Sequence, residues 1–452
     1  MDKLKFEQPI IKRLHTGMPN KFGMRTEYDP ITKIDGVEIS SIMEKYGSPV
    51  FVVSERTIRT SFHEAKRAFE TRYPRVQFAW SYKTNYLDAV CRVFHQEGSW
   101  AEVVSRFEYE KALLNGVDGR HILVNGPDKS RDDLEVYIKN ASYIHIDNFD
   151  ELFDIIELSD KMKIKARVSI RVNMDTGIYP QWQRFGFNYE NGEAWQAINR
   201  IMLCPTMELA GLHCHIGTYI LSAQAYGVAA TKLADLAVNV KRKFNQNIGY
   251  IDLGGGFASK NTLKGAYLSG TDTCPSFDDY ADAITSALLR AELDPGNMPV
   301  LFLETGRALI DDAGFLLNSV MAGKRLADGR KAIIIDAGVN LLFTSFWYDH
   351  KITPAQSFGS GSEEVAVYGP LCMNIDVIRE NVTLPVLKKG DKMVISRVGA
   401  YNMTQWMQFI TLRPKIVMVD RDGNTHIIRQ NETTQDVKSS ELTPAYLMEH
   451  KL

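Results

Sequence analysis

The chain has 452 residues and a formal net charge of −2, and 44% of its residues are hydrophobic while 24% are charged. This composition is typical of a globular protein of two or three domains, and the near-neutral charge excludes a broad basic surface for nucleic acid or an anionic membrane. The five cysteines are too few and too scattered to predict a disulfide framework or a zinc site.

The N-terminal segment carries no motif that points to chemistry. Residues 1–17 lack an apolar core followed by a small-residue cleavage site, and the chain has no run of 18 or more apolar residues. We therefore expect neither a signal peptide nor a transmembrane helix, and with the cysteine pattern this predicts a reduced, cytoplasmic protein. The pattern in Val37–Tyr46 predicts a short helix, and Pro49–Val53 predicts a strand.

From about residue 55 to residue 316, short apolar runs alternate with amphipathic stretches. The runs that predict strands are Val76–Ser81, Trp100–Val104, His121–Val124, Tyr143–Ile146, Ala166–Arg171, Leu209–His215, Ile248–Leu253 and Val300–Leu303. Eight β/α units in about 250 residues predict a TIM-type (β/α)8 barrel. A weaker helical pattern, Ala308–Asn318, follows the last strand.

After residue 316 the sequence becomes rich in β-strand patterns. The runs are separated by Gly, Pro or Asp-Gly signals, and they are Lys331–Asp336, Glu364–Tyr368, Lys392–Ser396 and Lys415–Val419. They predict a mostly β C-terminal domain. If the strand at 49–53 pairs into it, residues 1–54 and 317–452 form one β-rich domain, and residues 55–316 form the barrel.

Polar side chains collect at the carboxyl ends of the predicted strands, where barrel enzymes place their chemistry. Lys83 follows the first strand and is a candidate for a Schiff base. Gly254–Gly256 follows the seventh strand, where backbone N–H groups can approach a phosphate, and Arg307 after the eighth strand supplies a counter-charge. Glu304 ends the eighth strand and can bind a metal, act as a base or pair with a protonated ring nitrogen.

One cofactor uses all of these parts. Pyridoxal 5'-phosphate (PLP) needs a lysine, a phosphate site and a partner for its ring nitrogen. No His/Asp/Glu set with ligand spacing accompanies Glu304, so a metal site is not predicted. His215 at the end of the sixth strand can stack on the PLP ring, whereas His213 on the same strand face is the better candidate for a hydrogen-bonded core histidine.

Several motifs along almost the whole chain carry a family resemblance. They are Ser81–Asn85, Ala101–Ser105, Gly126–Ser130, Gly211–Thr218, Asp252–Gly256, Glu304–Arg307, Gly369–Cys372 and Gly399–Tyr401. With these motifs in this order, the chain resembles the fold-type III PLP enzymes, which include the diaminopimelate, ornithine and arginine decarboxylases and, more distantly, alanine racemase. The resemblance implies an alanine racemase-like fold, in which a (β/α)8 barrel is joined to a β domain.

The resemblance also implies roles for individual residues. Lys83 would bond covalently to PLP, His215 would stack on its ring, and Glu304 would pair with the ring nitrogen. Cys372 would come from the partner subunit of a homodimer and protonate the carbon that has lost CO2. Glu102 and Arg171 would support the cofactor from beneath. The residues expected around the phosphate are Thr218, Gly254, Gly255, Gly256, Gly306, Arg307 and Tyr401.

These residues favour PLP-dependent α-decarboxylation of an amino acid or amino-acid conjugate. A carboxylate such as Glu304 keeps the ring nitrogen protonated and the ring a strong electron sink. The alternatives are a racemase or epimerase on the same scaffold and a non-catalytic PLP carrier. Met373 occupies the position where diaminopimelate and ornithine decarboxylases carry an acidic residue for the distal ammonium. Asp349 or Asp376 could replace that residue, or the substrate could be a modified amino acid.

Overall fold

The computed structural model describes residues 29–358 and 361–448, so residues 1–17, on which the signal-peptide prediction depends, lie outside the described residues. The first elements are β1 (Lys33–Ile34), β2 (Val37–Glu38), α1 (Ile39–Tyr46), β3 (Val50–Ser54) and α2 (Glu55–Glu70). In these described ranges, no helix has both the length and the apolar character that a membrane crossing requires.

Helix α2 shows how local sequence sets these boundaries. Its N-cap is Ser54, whose hydroxyl oxygen accepts a hydrogen bond from the backbone N–H of Thr57 at 2.9 Å. Ile58, Phe62 and Phe69 recur at helical spacing, and all three are buried. The helix therefore packs one apolar face against the barrel.

The next segment contains the barrel, together with two short strands outside the closed ring, Phe187–Asn188 and Thr262–Leu263. Its strands and helices are β4 (Val76–Ser81), α3 (Asp88–Gln96), β5 (Trp100–Val103), α4 (Arg106–Leu114), β6 (Ile122–Val124), α5 (Arg131–Lys139), β7 (Tyr143–Ile146), α6 (Phe149–Met162), β8 (Ala166–Asn173), β9 (Phe187–Asn188), α7 (Glu193–Met202), β10 (Met207–Cys214), α8 (Ala223–Phe244), β11 (Tyr250–Asp252), β12 (Thr262–Leu263), α9 (Gly270–Thr273), α10 (Phe277–Arg290), β13 (Val300–Leu303) and α11 (Arg307–Ile310). The parallel strands pair in the order β4-β5-β6-β7-β8-β10-β11-β13, and β13 pairs with β4 to close the ring. The prediction of a (β/α)8 barrel is confirmed.

The helical prediction after the last barrel strand is wrong. Only α11 and a short 3-10 turn (Asp311–Ala313) are helical, and from Gly314 the chain is extended. The apolar run Phe315–Leu317 suits a buried strand as well as a helix, and pairing with neighbouring strands decides between them. At Gly314 a side chain would collide with Gly399, because an added Cβ would lie 2.2 Å from the Gly399 nitrogen.

The remaining elements form the second, mostly β part of the fold. They are β14 (Gly314–Arg325), β15 (Lys331–Ile335), β16 (Tyr348–Asp349), β17 (Ile352–Pro354), β18 (Ser362–Tyr368), β19 (Val377–Pro385), β20 (Lys392–Ser396), β21 (Ile416–Val419), β22 (Thr425–Arg429), α12 (Thr434–Lys438) and α13 (Ala445–Met448). The N-terminal strand β3 is fully buried between β14, to which it is antiparallel, and β21, to which it is parallel. The combination of a closed barrel with a mostly β domain confirms the predicted fold class.

Candidate active site at the carboxyl ends of the barrel strands

A cavity of about 680 Å³ opens where the barrel strands end. The predicted residues that line it are Lys83, His215, Thr218, Gly255, Gly256, Glu304, Gly306, Arg307 and Tyr401. Gly254 lies directly beside them, since an added Cβ there would lie 2.9 Å from the Nδ1 atom of His215. The closed ring of strands thus brings together side chains that are more than 300 residues apart in sequence.

Lys83 lies in a 3-10 turn, Tyr82–Thr84, that follows β4 directly. Its Nζ atom donates a hydrogen bond to the Oε2 atom of Glu102, a buried carboxylate in β5 that also accepts from the Ser81 hydroxyl at 2.6 Å. Desolvation in the cavity opposes protonation of the lysine, but the charges of Glu102 and then Glu304 outweigh it and raise the pKa of Lys83.

The turn that holds Lys83 is fastened by a loop of the β domain. The backbone N–H of Tyr401 donates to the Thr84 carbonyl at 2.9 Å, and the Thr404 hydroxyl donates to the Lys83 carbonyl at 2.9 Å. Tyr401 has a φ of +63°, a left-handed conformation that costs a non-glycine residue on the order of 1 kcal/mol or more. The hydrogen bonds to the lysine turn maintain this strained conformation, so the β domain helps to orient Lys83.

Glu304 forms the floor of the cavity at the end of β13. Its Oε1 atom accepts a hydrogen bond from the Asn125 side-chain amide at 2.7 Å, and its Oε2 atom lies 3.6 Å from the Nε2 atom of His213. Asp252 lies beside it, and burial followed by the charge of Glu304 raises the pKa of Asp252 well above its ordinary value. Burial and the neighbouring charge of Glu304 thus both favour the protonated form of Asp252.

Four buried side chains have the residue types of a metal site: His145, His213, Asp252 and Glu304. Their ligand atoms lie within 4.8 Å of one another. Both nitrogens of His145 are already hydrogen-bonded, one to Asn125 and the other to the Tyr250 hydroxyl, so this histidine has no lone pair left for a cation.

His213 is buried as predicted, but neither of its nitrogens has a hydrogen-bond partner among the described residues, so the prediction of a hydrogen-bonded histidine is wrong.

His215 follows β10 and faces the cavity. The backbone N–H of Gly255 donates to its Nδ1 atom at 3.2 Å, so Nδ1 is an acceptor and Nε2 carries the proton. Burial, followed by the charges of Arg171 and Lys83, lowers the pKa of His215 well below its ordinary value. The ring is therefore neutral and can stack flat on an aromatic cofactor.

The opposite wall of the cavity suits a phosphate. Side chains are excluded there, because an added Cβ would lie 2.2 Å from the Gly217 oxygen at Gly256 and 2.1 Å from the Thr84 hydroxyl at Gly306. The Arg307 guanidinium is buried between the rings of Tyr348 and Tyr401, each 4.8 Å away.

The hydrogen bonding of Arg307 leaves it able to take an anion. One of its terminal nitrogens lies 3.3 Å from Asp311, and its Nε atom has no partner among the described residues. Asp311 itself is engaged by Ser259 and Asn261. With the amine of Lys83 and the carboxylate of Glu304 in the same cavity, the residues present fit PLP.

The predicted proton donor Cys372 and the predicted substrate residues Asp349, Met373 and Asp376 lie outside this cavity lining. Cys372 is exposed after β18, and Met373 is partly buried against the core. Asp376 is buried and accepts hydrogen bonds from the backbone N–H groups of Val339 and Leu371, each at 2.7 Å.

The other predicted carboxylate is also engaged. Asp349 pairs with Arg379 at 3.4 Å. Of the two residues predicted to support the cofactor from beneath, Glu102 accepts a hydrogen bond from Lys83 and Arg171 lines the cavity. Arg171 lies over the Phe185 ring and 4.0 Å from Asp147.

Large aromatic side chains in the lining were not predicted from the sequence. They are Trp182, Phe185, Tyr219, Phe257, Trp347 and Tyr348. Trp182 meets the His215 ring edge to face at 5.4 Å, and the Asn173 side-chain amide fixes its loop by donating to the Trp182 and Phe185 carbonyls. The only signal in the sequence is that this loop follows a barrel strand at its carboxyl end.

A second cavity of about 600 Å³ lies at the amino ends of the strands, between Trp100, Tyr143 and Tyr250. None of the predicted site residues lines it. Barrel enzymes act at the carboxyl ends of their strands, so the first cavity is the candidate active site.

Comparisons with known proteins agree with this geometry. The family described as "Pyridoxal-dependent decarboxylase, pyridoxal binding domain" matches residues 56–311. A diaminopimelate decarboxylase of Methanocaldococcus jannaschii is 29% identical over 433 residues, covering 92% of this chain and 96% of that protein. One of Bacillus subtilis is 27% identical over 424 residues, covering 91% and 95%. A crystal structure of the M. jannaschii diaminopimelate decarboxylase with L-lysine has a TM-score of 0.85 at 28% identity, covering 94% of this chain and 98% of that one.

Proposed function

Since the chain belongs to the pyridoxal-dependent decarboxylase family, uses PLP and removes CO2 from an amino acid, we propose that its substrate is an amino acid or amino-acid conjugate without a free distal ammonium group. The observation that carries this proposal is the composition of the cavity. Its lining contains the amine of Lys83 and the carboxylate of Glu304, and no second carboxylate lines it in the described part of the chain.

The roles of the site residues are proposals supported by their positions. PLP, when bound, supplies an aldehyde that captures the amine of Lys83 or of the substrate, and a pyridine ring that accepts the electron pair left by CO2. Glu304 would hold a proton at the ring nitrogen, which strengthens the ring as an electron acceptor. His215 would keep the ring flat and in place.

The phosphate end has its own set of proposed residues. The guanidinium of Arg307 would bind the phosphate by charge-assisted hydrogen bonds, and Tyr401 would close the site above it. The remaining proposed phosphate contacts are Thr218, Gly254, Gly255, Gly256 and Gly306. Because side chains are excluded at the glycines, the backbone itself would approach the phosphate oxygens.

The proposal for the substrate rests on where the other carboxylates are. Asp376 accepts hydrogen bonds from backbone N–H groups, Asp349 forms an ion pair with Arg379, and Met373 carries no charge. A free ammonium at the distal end of a substrate would therefore be desolvated without a partner, which costs several kcal/mol. Aromatic side chains such as Trp182 and Trp347 provide surface for a larger, uncharged group.

Paired substrates test this proposal. We expect N6-acyl-lysine, whose distal nitrogen carries no charge, to be decarboxylated with a kcat/KM at least about tenfold above that of free lysine or diaminopimelate. The variant Met373→Glu should reverse part of this preference, because in the homodimer proposed below residue 373, next to Cys372, would carry a carboxylate to the partner's cavity. If the unaltered enzyme prefers free diaminopimelate, the substrate proposal is wrong.

We also propose a homodimer in which Cys372 reaches the active site of the partner subunit. Cys372 is exposed and lies outside the cavity of its own chain. Large apolar side chains are also exposed, among them Ile375, three residues after Cys372, at 52% and Ile410 at 58%. From the partner, the Cys372 thiol would donate the proton that replaces the departing carboxylate.

Mixing two inactive variants tests the shared site. Lys83→Ala and Cys372→Ala each remove one half of the proposed machinery, so neither homodimer should turn over. Random reassortment should restore about a quarter of the sites, because half of the dimers become mixed and each has one intact site. Absence of recovered activity after confirmed subunit exchange would exclude this arrangement. The scattered free cysteines support the further proposal of a reducing, cytoplasmic location.

The reaction type is tested by incubating the PLP-loaded enzyme with free and acylated amino acids in D2O. We expect release of CO2 together with one deuteron at the α-carbon of the amine product. Deuterium exchange at the α-carbon without CO2 would instead indicate racemisation.

A further inference from the structure

Asn125 lines the cavity beside Glu304, and the chemistry proposed above does not use it. It follows β6, and its side chain is buried. Its amide nitrogen lies 2.9 Å from the Oε1 atom of Glu102 and 2.7 Å from the Oε1 atom of Glu304. Both hydrogens of one amide group are therefore given to two different carboxylates.

The orientation of this amide is fixed by its neighbours. Carboxylate oxygens accept hydrogen bonds, so the amide nitrogen of Asn125 must face them and its oxygen must face the Nδ1 atom of His145 at 2.8 Å. Nδ1 of His145 therefore carries the proton. Its Nε2 atom then accepts from the Tyr250 hydroxyl at 2.9 Å. Burial lowers the pKa of His145 well below its ordinary value, which keeps the ring in this neutral form.

Hydrogen bonds also hold the backbone next to Asn125 and at His145 in place. The buried ammonium of Lys129 donates to the Gly126 carbonyl at 2.6 Å and to the His145 carbonyl at 2.9 Å, and it pairs with Glu151 at 2.8 Å. This ties the end of β6 to the end of β7. Asn125 and His145 consequently stand side by side in one arrangement.

Glu102 and Glu304 each direct their two carboxylate oxygens to different partners. In each, Oε1 faces Asn125, which leaves Oε2 for another partner. Oε2 of Glu102 takes Lys83, whereas Oε2 of Glu304 makes no hydrogen bond to Asn125 and is available to a ring nitrogen. Without a donor between them, two neighbouring carboxylates repel each other, and one tends to take up a proton.

We propose that Asn125, oriented by His145 and Tyr250, is a positioning residue that holds Glu102 and Glu304 so that one oxygen of each is directed to the cofactor. This inference rests on the proposed roles of Lys83 and Glu304. Its consequence is that the protonation of the lysine–cofactor linkage and of the ring depends on a residue that need not touch the cofactor.

The test is the pH dependence of the absorption spectrum of the PLP-loaded protein, together with the dissociation constant for PLP. Asn125→Leu keeps a similar volume but removes both donors, so one of the two carboxylates tends to take up a proton and less negative charge remains beside the cofactor. The midpoint of the spectral transition should move to lower pH by about one unit or more, and PLP should bind about tenfold more weakly. Tyr250→Phe removes only the hydroxyl on His145 and should give a smaller shift in the same direction.

Tyr143→Phe is the matched control, because its ring packs against Tyr250 at 5.2 Å while its hydroxyl contacts Arg167 and lies outside the hydrogen-bond chain. Its midpoint should equal that of the unaltered protein. An unchanged midpoint in both Asn125→Leu and Tyr250→Phe would overturn the inference, and so would an equal shift in Tyr143→Phe. The spectral readout needs only bound PLP, so the result is separate from whether the substrate proposal holds.

Discussion

The glycine loop after β11 allows a quantitative test of the phosphate site. Gly256 has a φ of +96°, and an added Cβ would lie 2.2 Å from the Gly217 carbonyl oxygen. For Gly256→Ala, the left-handed backbone costs about 1–3 kcal/mol and the overlap costs about 1–3 kcal/mol more, so a loss on the order of 2–6 kcal/mol is expected. Relief of this overlap requires the Gly256 loop or the Gly217 segment to move, and a shift of the loop, which lines the same cavity as Gly306 and Arg307, weakens the proposed phosphate contacts.

We therefore expect Gly256→Ala to raise the dissociation constant for PLP by about tenfold or more, measured by titrating the cofactor-free protein and following absorbance. Gly329→Ala is the matched control, because Gly329 also has a positive φ, +85°, but nothing lies within 4 Å of an added Cβ. It should lower stability toward urea through backbone strain alone and leave PLP binding unchanged. The reasoning fails if both variants bind PLP as the unaltered protein does, or if both weaken binding equally.

Three further predictions concern charged groups. Arg307→Met should weaken PLP binding about 10- to 100-fold in the same titration, because it removes charge-assisted hydrogen bonds while Asp311 keeps its other partners; unchanged affinity would exclude Arg307 from the phosphate site. Glu102→Gln should move the rate of PLP attachment to lower pH, because only the neutral amine bonds to PLP and the charge of Glu102 helps to raise the pKa of Lys83; a rate profile shifted to higher pH would contradict this. Burial raises the pKa of Glu108 from 4.5 to about 7, so the folded state binds more protons than the unfolded state and stability falls as pH rises between these values. Urea unfolding at several pH values should show this loss in the unaltered protein and a flatter profile in Glu108→Gln.

The barrel and most of the cavity could be predicted because a closed ring of parallel strands has few degrees of freedom. Once Gly254–Gly256 and Arg307 are assigned to the ends of the last two strands, their proximity follows, since β11 and β13 are neighbours. The strand β14 could not be separated from a helix, because Phe315–Leu317 is apolar in either structure and only pairing with distant strands decides. The unbonded nitrogens of His213 likewise depend on packing that its sequence neighbours do not indicate.

Neither the path of the loop that carries Trp182 nor the place of Cys372 relative to an active site could be predicted from the sequence, for a different reason. Loops after barrel strands have no periodicity that predicts their path, and here the path depends on the hydrogen bonds of one asparagine, Asn173. In the proposed homodimer, the place of Cys372 relative to an active site depends on a second copy of the chain. Its motif therefore predicts a role, whereas the geometry that would test this role would lie between two subunits.

We expect the paired charged groups of the cavity to determine the type of reaction, and other residues to determine which substrate is accepted. Among the residues proposed to hold the cofactor, Lys83 pairs with Glu102, Arg307 pairs with Asp311, and Glu304 accepts from the amide of Asn125. Trp182, Phe185 and Trp347 also line the cavity, whereas Asp349 and Asp376 lie outside its lining and already have partners. Substitutions of Trp182 or Met373 should therefore change which amino acid is accepted while leaving the spectrum of bound PLP unaltered. Substitutions within the paired groups should change the spectrum for every substrate, because they act on the cofactor before any substrate is present.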